Sequence, residues 1–299
     1  MKSGILQFKD PKLTDAPKVR SCTVHALQSD LSFTNIYLLK KKYGTEILFH
    51  MEHLIRRFTG DGRLQGYSFP VGGNSADTPA CIQAIEADAV ARGVPLKYCL
   101  LTEQQAQLLA ELYAGKIEIK CDTGDADYLY KRADLAELPG TAFHKKRTHV
   151  SKFLRNNPSA EFRILNENNT ADVLHVAKLW LAGQEESPAL LHEYRAIEHA
   201  LSCRDELEMT GGIFYVEQQA VAMALVSLIN DQVADIHYEK CIPEFRDAYA
   251  YINRELAAAL TTEYINREED LNIPGLRTAK LSYHPAHLLR KFTATIYVD

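Results

Sequence analysis

Between Lys145 and Arg155 the chain sets six basic or titratable side chains, Lys145, Lys146, Arg147, His149, Lys152 and Arg155, with no carboxylate among them. Lys145, His149 and Lys152 fall at i, i+4 and i+7, so a helix presents them on one side. In a chain of net charge −5 this positive potential is local, and it suits a phosphate-bearing ligand. An ordinary solvated helix face is the competing reading.

A second set lies in V-A-D-I-H-Y-E. Strand alternation puts Asp235, His237 and Glu239 on one face, where a carboxylate and an imidazole could move protons. Exposed polar residues on a half-solvated sheet would look the same. His50-x-x-His53 has helical spacing for a metal pair, but no third ligand is visible nearby, a hairpin fits equally well, and no metal is expected. Gly72-Gly73 lacks a following Lys-Ser/Thr and reads as a turn.

The elements that must hold these residues follow from periodicity and punctuation. The run F-H-K-K-R-T-H-V-S-K-F-L-R-N-N-P keeps Phe143, Val150 and Leu154 as a helical apolar stripe and stops at Asn157-Pro158. Stripes at Val173, Val176, Ala177, Trp180 and Leu181, and at Leu190, Tyr194, Ile197 and Leu201, mark two more helices. Gly212–Val216, Ala220–Leu228 and Val233–Glu239 read as three antiparallel strands, with turns at E-Q-Q and Asn230-Asp231. A helix follows through Ile252, Leu256 and Ala259. Strands are expected at Glu263–Arg267, at Lys280–Tyr283 and in the final F-T-A-T-I-Y-V.

In the first half, Ser32–Leu39 fits helix or strand. Strands are expected near Glu46–Phe49 and Gly66–Pro70, and again at Leu96–Leu101. One helix starts at Thr78-Pro79 and ends at Gly93, burying Ile82, Ile85, Ala89 and Val90. A second is capped by Thr102 with Gln105, with Leu108, Leu109, Leu112 and Tyr113 as its stripe.

Strands alternating with helices predict an α/β protein with mixed, mostly antiparallel sheets flanked by helices. A length of 299 residues predicts two domains, divided as 1–125 and 126–299. Six scattered cysteines without a C-x-x-C pair fit reduced thiols. With no apolar run of signal or membrane-spanning length, a cytoplasmic protein is expected. Composition leaves the oligomeric state open.

The order of elements in the second half is that of the GNAT fold. More closely, the chain resembles soluble bacterial proteins with a phosphatidylglycerol lysyltransferase C-terminal-like domain, built of two GNAT-like halves and related to Fem-type peptidyltransferases. The resemblance rests on F-H-K-K-R-T-H-V-S-K-F, on G-G-I-F-Y-V-E-Q-Q-A-V-A-M-A-L with I-H-Y-E-K, and on N-R-E-E-D-L-N-I-P-G-L-R-T-A-K-L-S-Y-H-P. S-F-T-N-I-Y-L in the first half is similar too.

The resemblance implies acyl transfer, and departures from the pattern narrow it. GNAT acetyltransferases hold the coenzyme A pyrophosphate on an R-x-x-G-x-G/A loop. Here the corresponding run is Pro243 to Tyr249, which keeps Arg246 for phosphate but sets Asp247 and Tyr249 where glycines belong. Coenzyme A is therefore disfavoured, and no cofactor is required. Aminoacyl-tRNA, the donor of the lysyltransferases and Fem enzymes, does not need that loop, and the basic helix could meet a tRNA phosphate. The lysyltransferase D-L-M-R becomes Asp235-Ile236-His237-Tyr238, in which Asp235 could hold the donor's amino group. The expected activity is aminoacyl transfer to an amine or hydroxyl of a lipid, peptide or small molecule. Acyl-CoA-dependent transfer and a silent binding protein are the alternatives.

Overall fold

The computed structural model describes residues 4–62, 64–185 and 187–297. Contacts divide the chain into two units, Met1–Asp127 with Glu269–Pro274 and Leu288–Asp299, and Tyr128–Glu268 with Gly275–His287. A single cut at 125/126 thus misses two returns of the chain to the first unit.

The first unit carries α1 (Ala16–Cys22), α2 (Phe33–Leu38), α3 (Lys40–Tyr43), β1 (Thr45–His50), β2 (His53–Phe58), β3 (Gly66–Tyr67), β4 (Val71–Gly72), α4 (Thr78–Arg92), β5 (Leu96–Leu101), α5 (Glu103–Leu112) and β6 (Ile117–Cys121). Its sheet runs β1-β2-β3-β5-β14-β6 with β4 beside β2, where β14 is Phe292–Ile296. His50 and His53 flank a two-residue hairpin turn. Met51 and Glu52 both take positive φ there (49° and 62°), as a turn matched to strand twist requires. The pair is therefore not on a helix.

α4 buries Ile82, Ile85 and Ala89 as its spacing predicts, while Val90 is 66% exposed. The reciprocal cap of α5 forms, with Gln105 N–H donating to Thr102 Oγ1 at 3.2 Å and Thr102 N–H to Gln105 Oε1 at 2.9 Å. Of its stripe, Leu109 is buried and Leu108 and Leu112 are exposed.

The last strand belongs to the first sheet, not to the C-terminal half. β14 lies between β5 and β6, antiparallel to both. Ala294 and Ile296 enter the same core as Ile85, Leu96 and Leu109, so burial of alternate residues fixes where it docks. Just before it, Lys291 is buried, its Nζ 2.6 Å from Asp127 Oδ1 and 2.9 Å from Glu269 Oε1. Burial opposes that charge, but Asp127, Glu269 and Asp30 outweigh it and hold the ammonium above its ordinary range.

The second unit carries β7 (Asp127–Lys131), α6 (Arg132–Glu137), α7 (His144–Asn156), β8 (Glu161–Ile164), α8 (Thr170–Ala182), α9 (Pro188–Ser202), β9 (Thr210–Val216), β10 (Gln219–Asn230), β11 (Val233–Cys241), α10 (Tyr249–Ala259), β12 (Tyr264–Asn266), α11 (Pro274–Leu281) and β13 (His287–Leu289). The sheet order is β13-β7-β12-β11-β10-β9-β8. Strands β8 to β11 pair antiparallel, and β12 returns parallel beside β11. This is the strand and helix order of a GNAT-like unit, and the chain as a whole is α/β with two mixed sheets flanked by helices.

The three-strand meander forms with the expected turns. At the first, Glu217 and Gln218 both take positive φ. Lys280–Tyr283 is not a strand. Lys280 and Leu281 end α11, and Ser282 and Tyr283 continue it as turns, donating to Thr278 and Lys280 carbonyls. Lys280 is fixed by its own Nζ, which donates to the Arg267 and Glu268 carbonyls. Tertiary anchoring overrides the local strand preference. Trp180 is half-buried under Lys240 Nζ, 3.8 Å from its ring, and is not a fully enclosed core residue.

Candidate functional site

β11 and β12 pair over three residues only, Val233 with Tyr264, Ala234 with Ile265 and Asp235 with Asn266. β11 then continues to Cys241 against β10 alone, so the two parallel strands part beyond Asp235. Side chains from both strands and from neighbouring helices fill the divergence.

The expected grouping of Asp235, His237 and Glu239 on one face does not hold. The pairing of β11 with β10 steps from Leu225–Tyr238 to Val226–Ile236, leaving His237 as an extra residue. Such a bulge breaks the two-residue alternation. Asp235 lies opposite Ser227 and Glu239 opposite Ala224. Those partners are three residues apart and so point to opposite faces. Two clusters result.

In the first, His237 is anchored at both ring nitrogens. Nε2 meets Ser227 Oγ at 2.8 Å, and Nδ1 lies 3.2 Å from Glu268 Oε1 and 3.6 Å from Asp235 Oδ2. Asp235, His237 and Glu268 each offer a ligating atom within 4.8 Å of the others, a set that one cation could share.

The second cluster centres on Glu239. Arg267 Nη2 lies 3.2 and 3.3 Å from its two oxygens, and Asn253 Nδ2 of α10 lies 3.5 Å from Oε2. The Arg267 guanidinium also lies 5.1 Å from the Tyr283 ring centre. Burial works against its charge, yet Glu239 and the surrounding tyrosines hold it above its usual range. Lys146 reaches in from α7, with Nζ 3.7 Å from the centre of the Tyr283 ring. Burial, and then the Arg267 charge, lower Lys146 to about 8 against an opposing pull from Glu239. Neutral amine and ammonium are thus both accessible near physiological pH. Burial raises Tyr283 to about 12, so its ring is a neutral platform.

The basic helix therefore divides its residues. Phe143, Val150 and Phe153 are buried, while Lys145, His149 and Lys152 share an exposed side. Lys146 points instead to the Glu239 cluster. Arg147 is engaged structurally, its Nη1 donating to the carbonyls of Leu138 and Gly140.

The run expected to hold phosphate is a 3-10 turn from Pro243 to Ala248. Its amides are partly used internally: Phe245 N–H donates to Ile242 O, and Tyr249 N–H to Arg246 O. Arg246 and Asp247 are exposed. Tyr249 is half-buried, its hydroxyl accepting from Cys241 N–H at 3.3 Å, and burial raises its pKa.

Arg267 and Asn253 escaped the sequence reading. Asn253 had a signal, since it interrupts the apolar face formed by Ala250, Ile252, Leu256 and Ala257 of α10. Arg267 lies in N-R-E-E-D, but nothing in its neighbours announces that β12 ends there.

A family profile described as phosphatidylglycerol lysyltransferase, C-terminal, matches residues 23–295. The chain belongs to this family. A conserved Bacteroides thetaiotaomicron protein of unknown function superposes with a TM-score of 0.90 at 31% identity, over 97% of this chain and 99% of that one. L-PGS of Bacillus licheniformis gives a TM-score of 0.67 at 14% identity, covering 99% and 94%. The C-terminal domain of a putative lysylphosphatidylglycerol synthetase from Agrobacterium fabrum gives 0.65 at 15%, covering 94% and 92%. At those identities the last two show a shared fold. An uncharacterized Mycoplasmoides gallisepticum protein is 22% identical over 179 residues, and the match spans 57% of this chain and only 56% of that relative. Among the described residues, no helix is long and apolar enough to cross a membrane.

Proposed function

We propose that this member of the lysyltransferase C-terminal family transfers an aminoacyl group from aminoacyl-tRNA to an amine or hydroxyl acceptor at the Glu239 cluster. Family membership and the GNAT-like fold support a general acyltransferase. The observation that carries the finer reading is Lys146, an amine lowered to about 8 and set beside the half-buried Arg267 where β11 and β12 part. Neutral Lys146 takes the acceptor's proton as its oxygen or nitrogen attacks the ester carbonyl. Arg267 stabilises the oxyanion that develops. The new acyl bond forms as the ester C–O bond to the terminal ribose breaks, and the proton passes from Lys146 to the leaving oxygen.

The exposed side with Lys145, His149 and Lys152 would meet the tRNA backbone or an anionic lipid headgroup. Coenzyme A is disfavoured, because the Pro243–Ala248 turn uses amides internally and exposes Asp247. No cofactor is needed for ester-to-amine or ester-to-hydroxyl transfer.

The test is incubation with tRNA charged with radiolabelled amino acids, offered phosphatidylglycerol vesicles, peptides and small amines as acceptors. Label moving to one acceptor, and lost with Lys146→Met, is the expected result. Label released no faster than by uncatalysed hydrolysis, with every donor and acceptor, would sink the proposal. Native mass spectrometry of protein purified with and without ribonuclease gives an independent view of bound RNA.

A further inference from the structure

β6 ends the first sheet, and among the described residues no strand pairs with its outer side. Residues 118–121 are all exposed. The backbone phase of this edge is set by its inner neighbour. Tyr297 N–H donates to the Lys116 carbonyl at 2.8 Å, which extends the Ile117–Ile296 register by one pair. Hydrogen-bonded pairs recur at every second residue of an antiparallel ladder, so Glu118 and Lys120 bond inward to β14. The N–H and C=O groups of Ile117, Ile119 and Cys121 therefore face the open edge.

The side chains alternate in the same way. Ile117, Ile119 and Cys121 stand opposite Ile296, Ala294 and Phe292, on the face where Leu109 of α5 joins the core. α5 packs along β14 and β6, and its Leu108 and Leu112 are exposed, as is Ile119. Glu118 and Lys120 share the other face, with Oε1 and Nζ 3.0 Å apart. Natural edges are commonly blunted by lysine or proline. Here opposite charges flank a central isoleucine in I-E-I-K-C, a pattern that complements itself when reversed.

We propose that β6 is the contact between two copies of this chain, paired antiparallel about a two-fold axis at Ile119. Such an interface uses one surface twice and must be self-complementary. In this register Ile119 exchanges both backbone bonds with Ile119 of the partner subunit. Ile117 does the same with the partner subunit's Cys121. Glu118 falls opposite the partner subunit's Lys120, twice by symmetry, at positions where side chains approach most closely. Moving the axis to residue 118 or 120 sets Glu against Glu or Lys against Lys, and like charges directly opposite are unfavourable. The charges thus select one register. Opposite residues share a face, so the pairing brings both copies of α5, with their exposed leucines, to one side of the joined sheet.

The test is sedimentation equilibrium of the full chain over a concentration series. A dimer is expected, and Ile119→Pro should raise its dissociation constant about tenfold or more. Proline there removes only the outward N–H, so the bonds to β14 persist, and thermal unfolding reports whether the monomer is intact. If that variant does not fold, the charges decide. Glu118→Lys or Lys120→Glu alone should weaken the dimer, and the two together should restore it. Ile117→Cys places a thiol opposite the partner subunit's Cys121, about 5.5 Å apart at Cα. Mild oxidation should then cross-link the dimer, whereas the parent chain, with Cys121 as its exposed cysteine, should not cross-link. A monomer at every concentration overturns the proposal, as does a dimer indifferent to Ile119→Pro and to both single charge changes. Cross-linking of the parent through Cys121, or no restoration in the double charge change, overturns the register.

Discussion

Lys146 rests its Nζ on the face of Tyr283 and makes no ion pair among the described residues. A lysine with an aromatic partner in place of a carboxylate, and with an arginine as its neighbour, is poised to give up its proton. Most lysines on an amphipathic helix do the opposite and extend to solvent.

The first expectation is a pH profile. Transfer should rise with pH and level off above about 8, where Lys146 becomes neutral, and Lys146→Arg should lose that limb. Stability should respond to the same group. Its folded pKa is below the unfolded one, so between about 8 and about 10.4 the unfolded chain binds more protons and stability gains as pH rises. Below that window the charged form is a liability. Lys146→Met should therefore be more stable at pH 7 by on the order of 1 kcal/mol, discounted for partial exposure. The difference should close near pH 10, as urea denaturation at the two pH values would show.

Glu239→Gln should act in two ways. It removes the charge that raises Lys146, so the midpoint of the pH–rate profile should move below about 8. It also leaves Arg267 without its carboxylate, at a cost of about 1–3 kcal/mol in denaturation. A midpoint that moves upward would contradict this arrangement.

Lys145→Ala combined with Lys152→Ala removes two charges from the exposed side of α7 without touching the Lys146 cluster. Charge-assisted phosphate contacts contribute about 1.5–3 kcal/mol each, so tRNA affinity should fall by roughly a hundredfold or more at low salt. The deficit should shrink as salt rises, through counterion release. Filter binding across a salt series checks it, and unchanged affinity would make this an ordinary solvated face.

Acetyl-CoA should bind weakly or not at all. Calorimetry giving a low-micromolar Kd that is lost in Arg246→Ala would promote the acyl-CoA alternative.

Lys291→Met should destabilise the first unit by about 3–5 kcal/mol, because buried Asp127 and half-buried Glu269 would lose their shared cation. Denaturant titration measures it directly.

Where local rules decide, the sequence was readable. The Thr102–Gln105 cap, α4 closed by Gly93, and the meander of β9, β10 and β11 all follow from spacing and turn chemistry. The site was less so, because its assembly depends on one inserted residue. His237 as a bulge turns Glu239 away from Asp235, and no alternation pattern announces it. Lys146 was legible as one of a basic group, but its inward contact is the ring of Tyr283, more than a hundred residues later. Lys280–Tyr283 looked like a strand until the anchoring of Lys280 in the fold made it the end of a helix.

The place of β14 bears on how this protein comes into being. Its neighbours β5 and β6 leave the ribosome nearly two hundred residues ahead of it, and the first sheet stays open between them until Ile296 has emerged. The second unit's helices and meander need no such wait, since they pair almost entirely within a continuous stretch of chain. During vectorial synthesis the meander of β9, β10 and β11 can therefore form while the first sheet is still open. For that interval two strand edges of the first unit stand exposed, a template for aggregation that the docking of Phe292–Ile296 removes.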